Sequence, residues 1–294
     1  MSAGTASAIN ADELARGHWR ERAQFIGLSL PATLLILIVV FLPLFWLSSL
    51  SFLDRGGELS SENYQRLTGD LYVEAFVVTF QISASVTALC VLLGYPLAYW
   101  LSRKPQQTAN LLMICVLLPF WTAVLVRTYA WLVLLQRNGL INNTLLSLGV
   151  IDASLQLAHN LTASIIGMVH IMLPFLVLPL YATMKSIDSD LVRASVGLGS
   201  SPTEAFWRIF VPMSLPGLFA GVVLVFIMSL GFYVTPALLG GGRIQMLAQR
   251  IESTITIFSN WGAASALGVA LLVMALALVA LLHRVFGLDK LFVR

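Results

Sequence analysis

The stretch from Asp188 to Gly217, DSDLVRASVGLGSSPTEAFWRIFVPMSLPG, has mixed polar character and lies between two strongly apolar segments. Acidic residues at its start are typical of a helix N-terminus. Either glycine of Gly197-Leu198-Gly199 suits the left-handed position that ends a helix. Ser201 and Pro202 then suit the N-cap and the first residue of a new helix. The pattern therefore predicts two short helices joined by a glycine turn.

The second of these helices carries two different faces. Glu204 and Arg208 are four residues apart, which places an acid and a base together on one face. Pro212 and Pro216 are expected to break or kink the helix before the next apolar segment. The aromatic residues Phe206, Trp207 and Phe210 form an apolar face elsewhere on this helix.

The rest of the chain is dominated by apolar segments. Of its 294 residues 58% are hydrophobic and 11% charged, against about 45–50% and about 25% in soluble proteins. Six segments reach the ~20 residues that a membrane-spanning helix needs, so the sequence predicts an all-α membrane protein with six transmembrane helices. The net charge of +3 comes from Lys and Arg scattered through loops, which argues against a nucleic-acid partner. The six segments are 25–52, 74–101, 109–135, 160–184, 213–238 and 260–287.

The positive charges predict the orientation in the membrane. With both termini inside, the inner segments hold eleven Lys and Arg residues and the outer segments five, while Arg127 lies within a span. Positive charge prefers the cytoplasmic side, so we expect an N-in, C-in arrangement. The chain then divides into a cytoplasmic tail (1–24), a transmembrane domain (25–287) with a cytoplasmic loop (185–212), and a C-terminal tail (288–294).

The cytoplasmic loop resembles a motif of the permease subunits of bacterial ABC importers. That motif reads EAA, three residues, Gly, nine residues, then I-x-L-P. Here Arg193-Ala194-Ser195, Gly199 and Ile209-Phe210-Val211-Pro212 keep the same spacing, with Arg193, Ser195 and Val211 in place of Glu, Ala and Leu. Three further stretches resemble permeases of the spermidine/putrescine type: LLPFWTAVLVRTYAW (117–131), NGLIN (138–142) and LPFLVLPLY (173–181).

This resemblance implies the fold of a type I ABC importer permease in the bacterial inner membrane. It also implies two cytoplasmic ATPase subunits that use ATP and Mg, a second permease (a different chain or a copy of this one) and a periplasmic substrate-binding protein. The chain has no G-x-x-x-x-G-K-[ST] phosphate loop, so we expect no cofactor, no metal and no enzymatic activity of its own. The residues expected to couple to an ATPase are Arg193, Ala194, Ser195, Gly199, Glu204, Phe206, Trp207, Ile209 and Pro212.

Several polar and aromatic residues within the spans are candidates for the substrate pathway. Arg127 lies 17 residues after Asn110, roughly 26 Å along a straight helix, so it is either an anchor at the outer interface or a cavity-lining residue. Pro236, after Gly231-Phe232-Tyr233, predicts a break in the fifth span, and irregular backbone in a membrane is tolerated beside a cavity. The candidates are Trp121, Arg127, Tyr129, His170, Phe232 and Tyr233.

The substrate expected from the resemblance is a small nitrogenous solute, a polyamine first, with opines and amino-acid-like compounds left open. No acidic residue lies in any span interior, so a carboxylate for a polyamine has to come from elsewhere, such as the second permease. The alternative function is a gradient-driven secondary transporter or channel subunit. A membrane-bound enzyme is disfavoured, because the sequence has no H-E-x-x-H motif and its four histidines are dispersed.

Overall fold

The computed structural model describes residues 3–54, 56–242 and 244–286. Arg55, Arg243 and the predicted tail 288–294 lie outside the described residues. The helices are α1 (Ala3–Leu50), α2 (Glu62–Arg66), α3 (Asp70–Ser102), α4 (Gln106–Leu117), α5 (Val124–Leu135), α6 (Leu140–Ser147), α7 (Leu161–Ser186), α8 (Ser189–Gly197), α9 (Pro202–Ala205), α10 (Val211–Leu230), α11 (Val234–Leu239), α12 (Leu247–Thr256) and α13 (Trp261–Phe286). A 3-10 turn (Leu118–Trp121) follows α4, and a π turn (Phe206–Phe210) joins α9 to α10.

The six predicted spans correspond to five membrane-length helical stretches and one bent pair of helices. Among the described residues, five helical stretches are long and apolar enough to cross a membrane, and a bent pair, when counted as one span, gives a sixth. That pair joins Gln106–Trp121 to Val124–Ser147 at an angle of 93°. The prediction of one straight span over 109–135 is therefore wrong, and so is the position of Arg127 calculated from it.

The fifth crossing also differs from its predicted bounds. Its helical stretch runs from Pro202 to Leu230 without interruption, so Pro212 and Pro216 do not break it. Pro212 follows directly on the π turn of Phe206–Phe210, so the widened turn lies where proline would otherwise disturb a regular helix. The predicted break before Pro236 is confirmed, because α10 ends at Leu230 and α11 begins at Val234.

Helix α7 lies at the centre of the bundle, with α3 and α10 packed against it. Leu176 of α7 is fully buried, and two glycines allow its neighbours to approach closely. A Cβ on Gly94 of α3 would lie 2.5 Å from the Leu176 side chain, and one on Gly221 of α10 would lie 3.0 Å from the Leu176 carbonyl oxygen. Small residues at crossing points are the usual means of close helix packing in membranes.

The first span lies at the edge of this bundle. None of the side chains in the membrane-length part of α1, from Gly27 to Leu50, is buried within the chain, and α1 packs against α13. We call the end of the bundle that carries residues 187–201 the proximal end, and the end that carries residues 51–69 the distal end.

Candidate functional site

The loop at the proximal end folds as the sequence predicts, as two helical segments joined by a glycine turn. The Asp188 carboxylate caps α8 by accepting a hydrogen bond from the Asp190 N–H at 2.9 Å. Gly199 has a φ of +103° and takes the left-handed position, while Gly197 remains within α8. The Ser201 hydroxyl then accepts from the Glu204 N–H at 3.2 Å and starts the second segment.

Each arginine of the loop forms an ion pair with an acid three or four residues earlier in the chain. The Glu204 carboxylate contacts the Arg208 guanidinium at 3.1 Å, which confirms their predicted shared face. Arg193, which replaces the acid of the motif, contacts Asp190 at 3.3 Å, and both side chains are exposed. Exposed pairs of this kind add little stability, so Arg193 is held only loosely.

The aromatic residues of the loop divide between core and surface. The Phe206 and Phe210 rings stack at 5.7 Å, and the Tyr99 ring of α3 meets both of them edge-on at 5.2 and 5.1 Å. Phe210 is only 4% exposed, because its ring points into the bundle from the π turn, so it does not share the exposed surface of Trp207. The Arg103 guanidinium covers this cluster, 5.2 Å from the centre of the Tyr99 ring.

The most exposed large apolar residues of the loop are Leu198 and Trp207, and Leu191 and Val196 are exposed to a smaller extent. Leu198 is 90% exposed and Trp207 is 64% exposed. Leu198 was not predicted as a coupling residue. Its position between Gly197 and Gly199 could have indicated an exposed apolar side chain in the turn. Of the other predicted coupling residues, Ala194 and Pro212 are exposed, and Ser195 and Ile209 are half-buried.

A lysine ties the proximal ends of α3 and α7 together. The Lys185 ammonium donates to the carbonyl oxygen of Lys104 at 2.9 Å and to that of Ser102 at 3.4 Å. The last carbonyls of a helix have no partner within it, so Lys185 supplies donors at the end of α3. Through Lys185 and the Tyr99 cluster, the loop is fixed to the two helices that form the core.

The second candidate region is a cavity of about 550 Å³ between α5, α7 and α10. Both helix breaks contribute to it: Trp121 and Thr122 come from the bend between α4 and α5, and Phe232 from the break after α10. Non-helical backbone at membrane depth is tolerated beside a cavity. The lining residues are Phe120, Trp121, Thr122, Ala123, Val124, Arg127, Ile171, Met172, Phe175, Met228 and Phe232.

Arg127 is the charged residue of this lining. It is only 8% exposed, and its Nε and Nη1 atoms have no hydrogen-bond partner among the described residues. Trp121, in contrast, is largely exposed at the rim of the cavity. A buried guanidinium with unused donors is costly unless it meets an anion or an oxygen acceptor.

The remaining pathway candidates lie outside this cavity. His170 accepts a hydrogen bond at Nδ1 from the Trp131 indole N–H at 3.0 Å, which links α7 to α5. Tyr129 and Tyr233 are exposed and do not line the cavity. Sequence reasoning missed Thr128 and Thr235, whose hydroxyls lie 3.0 Å apart and join α5 to α11 behind the cavity.

A bundle of membrane-length helices, with one bent pair beside a cavity, has the architecture of a multi-pass membrane protein. The model of the family described as "Binding-protein-dependent transport system inner membrane component" matches residues 22–291. The chain belongs to this family and is a permease subunit of an ABC importer.

Similar proteins in other bacteria support the same conclusion. The chain is 32% identical over 255 residues to the spermidine/putrescine transport system permease protein PotB of Haemophilus influenzae, covering 85% of this chain and 89% of that protein. It is 34% identical over 250 residues to PotB of Escherichia coli K12, covering 83% and 91%. The family resemblance expected from the motifs is thus confirmed.

Solved structures show the same fold at low sequence identity. One is a bacterial ABC transporter involved in the import of the acidic polysaccharide alginate, with a TM-score of 0.69 and 16% identity, covering 96% of this chain and 100% of that one. The other is the alginate transporter in complex with its alginate pentasaccharide-bound periplasmic protein, with a TM-score of 0.70 and 17% identity, covering 90% and 94%.

Proposed function

We propose that this chain forms, with a second permease subunit, the inner-membrane pathway of a polyamine importer driven by two cytoplasmic ATPase subunits. The observation that carries the substrate class is the identity of 32–34% to permeases described as spermidine/putrescine transport proteins. The cavity is compatible with this class. Aromatic faces attract ammonium groups by about 0.5–2 kcal/mol each, and Phe120, Phe175 and Phe232 line the cavity together with two methionines.

The proximal loop is the proposed contact with the ATPase subunits, in an N-in, C-in orientation. Leu198 and Trp207 present exposed apolar surface on this loop. Movement of the loop would reach the core through the Tyr99, Phe206 and Phe210 rings and through Lys185. A periplasmic substrate-binding protein would deliver the solute at the distal end. The alginate transporter has been solved in complex with a periplasmic protein that carries alginate pentasaccharide.

The direct test is uptake by the reconstituted assembly. Proteoliposomes with both permeases, the ATPase subunits and the binding protein are expected to accumulate radiolabelled putrescine or spermidine only when ATP is supplied. Unlabelled opines and amino acids serve as competitors, and a competitor that displaces the polyamine at lower concentration would reassign the substrate. Uptake that persists without ATP but needs an ion gradient would support a secondary transporter instead.

Gly199 provides a matched test of the loop. Neither Gly197 nor Gly199 has an atom within 4 Å of an added Cβ, but only Gly199 has a positive φ. Gly199→Val places a β-branched residue in a disfavoured region at a cost of about 1–3 kcal/mol. We expect assembly to be retained and substrate-stimulated ATP hydrolysis to fall several-fold, while Gly197→Val stays near wild type. Equal activity of both variants would contradict a specific role for the turn.

A further inference from the structure

Arg127 needs a negative partner that the described residues of this chain do not provide. Its side chain is 8% exposed, and two of its three nitrogen atoms are buried without an acceptor among the described residues. The ion pairs of the described residues join other arginines, Arg66, Arg193 and Arg208, to acids on their own helices. A guanidinium removed from water is stable only when its charge and its donors are matched.

Among the described residues, no ion pair joins an acid to Arg127. The span interiors contain no Asp or Glu. Asp70 and Glu74 lie in the first turns of α3, at the distal end, and both are exposed. Glu204 lies at the proximal end and contacts Arg208. The sequence therefore places no carboxylate at the level where α4 bends into α5.

A polyamine cannot supply the missing charge either, because it is itself a cation and is repelled by a guanidinium. The cavity has walls from α5, α7 and α10, and the exposed Trp121 and Phe120 mark its open side. We take this open side to face the second subunit of the proposed two-permease assembly. A second copy of this chain would bring another Arg127 and no acid, which would place two like charges at one cavity.

We propose that Arg127 forms an ion pair with an Asp or Glu in a span of the second permease. The inference rests on the proposed function, in its polyamine substrate and its two-permease pathway. It gives Arg127 a specific part in that pathway. Before substrate binds, the Arg127 guanidinium is paired with this carboxylate. An ammonium group of the incoming polyamine then competes with Arg127 for the carboxylate oxygen atoms.

The ion pair can be tested by zero-length cross-linking. The experiment uses the purified full assembly carrying Arg127→Lys and a hydrophobic carbodiimide, which converts carboxylates to O-acylisoureas. The new lysine amine at position 127 attacks an O-acylisourea that it contacts directly, which forms an amide and releases the urea. We expect a covalent adduct between this chain and the second permease. Peptide mapping of the adduct should identify the acid. The adduct should exceed that of the control by about ten-fold or more, since charge-assisted N–H···O contacts are only ~2.7–2.9 Å long.

The matched control is Arg137→Lys, two residues beyond the end of α5 at an exposed position. An intact assembly with no adduct at Arg127→Lys, or with an adduct to a carboxylate of this chain, would overturn the proposal. Purification of an assembly with two copies of this chain would overturn it as well. Polyamine uptake by the wild-type assembly is measured separately, so a wrong substrate and a missing ion pair give different results.

A second measurement covers the case in which Arg127→Lys does not assemble. Each acid in the spans of the second permease is neutralised singly, in the wild-type and in the Arg127→Gln background. For the paired acid, the loss of substrate-stimulated ATP hydrolysis should be roughly 2- to 150-fold smaller in the Arg127→Gln background, as for residues in contact. Additive losses for every acid would exclude the pair.

Discussion

Replacing Trp207 with alanine is expected to release the permease from its ATPase subunits. Trp207 is 64% exposed and lies on the same loop as the 90% exposed Leu198. A tryptophan at the centre of an interface contributes about 2–4 kcal/mol when truncated, which corresponds to an affinity about 30- to 1,000-fold weaker. Titration of the purified ATPase subunits against the permease in nanodiscs measures this loss.

Trp261→Ala is the matched control for this experiment. Trp261 is 57% exposed and begins α13 at the distal end of the bundle. Its truncation removes a similar area of exposed aromatic surface without touching the proximal loop, so ATPase affinity should not change. If Trp207→Ala binds the ATPase subunits as tightly as wild type, Trp207 does not contribute to docking and the proposed contact surface is wrong.

The proximal loop was predictable from sequence where its structure depends on neighbouring residues. The caps at Asp188 and Ser201 act over two or three residues, and the left-handed turn at Gly199 follows from the lack of a side chain. The direction of the Phe210 ring was not predictable in this way. It depends on Tyr99, which is more than a hundred residues earlier in the chain, and on the π turn that rotates the helix beneath it.

The helix bend beside the cavity was also not predictable from the sequence, because it depends on how whole spans pack. The bend between α4 and α5 lies within a continuous apolar stretch, and hydropathy does not distinguish one straight helix from two bent ones. Pro119 is the local signal, since it lies in the 3-10 turn before the bend. Trp121, Arg127 and Phe232 were predicted as pathway residues and do line one cavity, because both breaks lie beside it. His170 instead bonds Trp131, a contact that depends on how α5 and α7 pack.

The close contact between α7 and α10 leads to the second large expected effect. A Cβ on Gly217 would meet the Thr183 side chain and would lie 2.8 Å from the carbonyl oxygen of Pro179, both on α7. The Pro179 carbonyl belongs to the helix backbone and cannot rotate away. Gly217→Val should therefore separate the two helices and destabilise the permease by about 1–3 kcal/mol or more, as overpacking does.

Thermal unfolding of the purified permease in nanodiscs measures this destabilisation, and Gly268→Val provides the control. Gly268 lies inside α13, and an added Cβ there has no atom within 4 Å. Both variants change a glycine to valine within a spanning helix, so they differ mainly in the space available. The Gly217 variant should unfold at a clearly lower temperature and the Gly268 variant near wild type. Equal midpoints would mean that α10 can move away from α7 without cost. In that case the loop that continues into α10 could not transmit force to α7 through this contact.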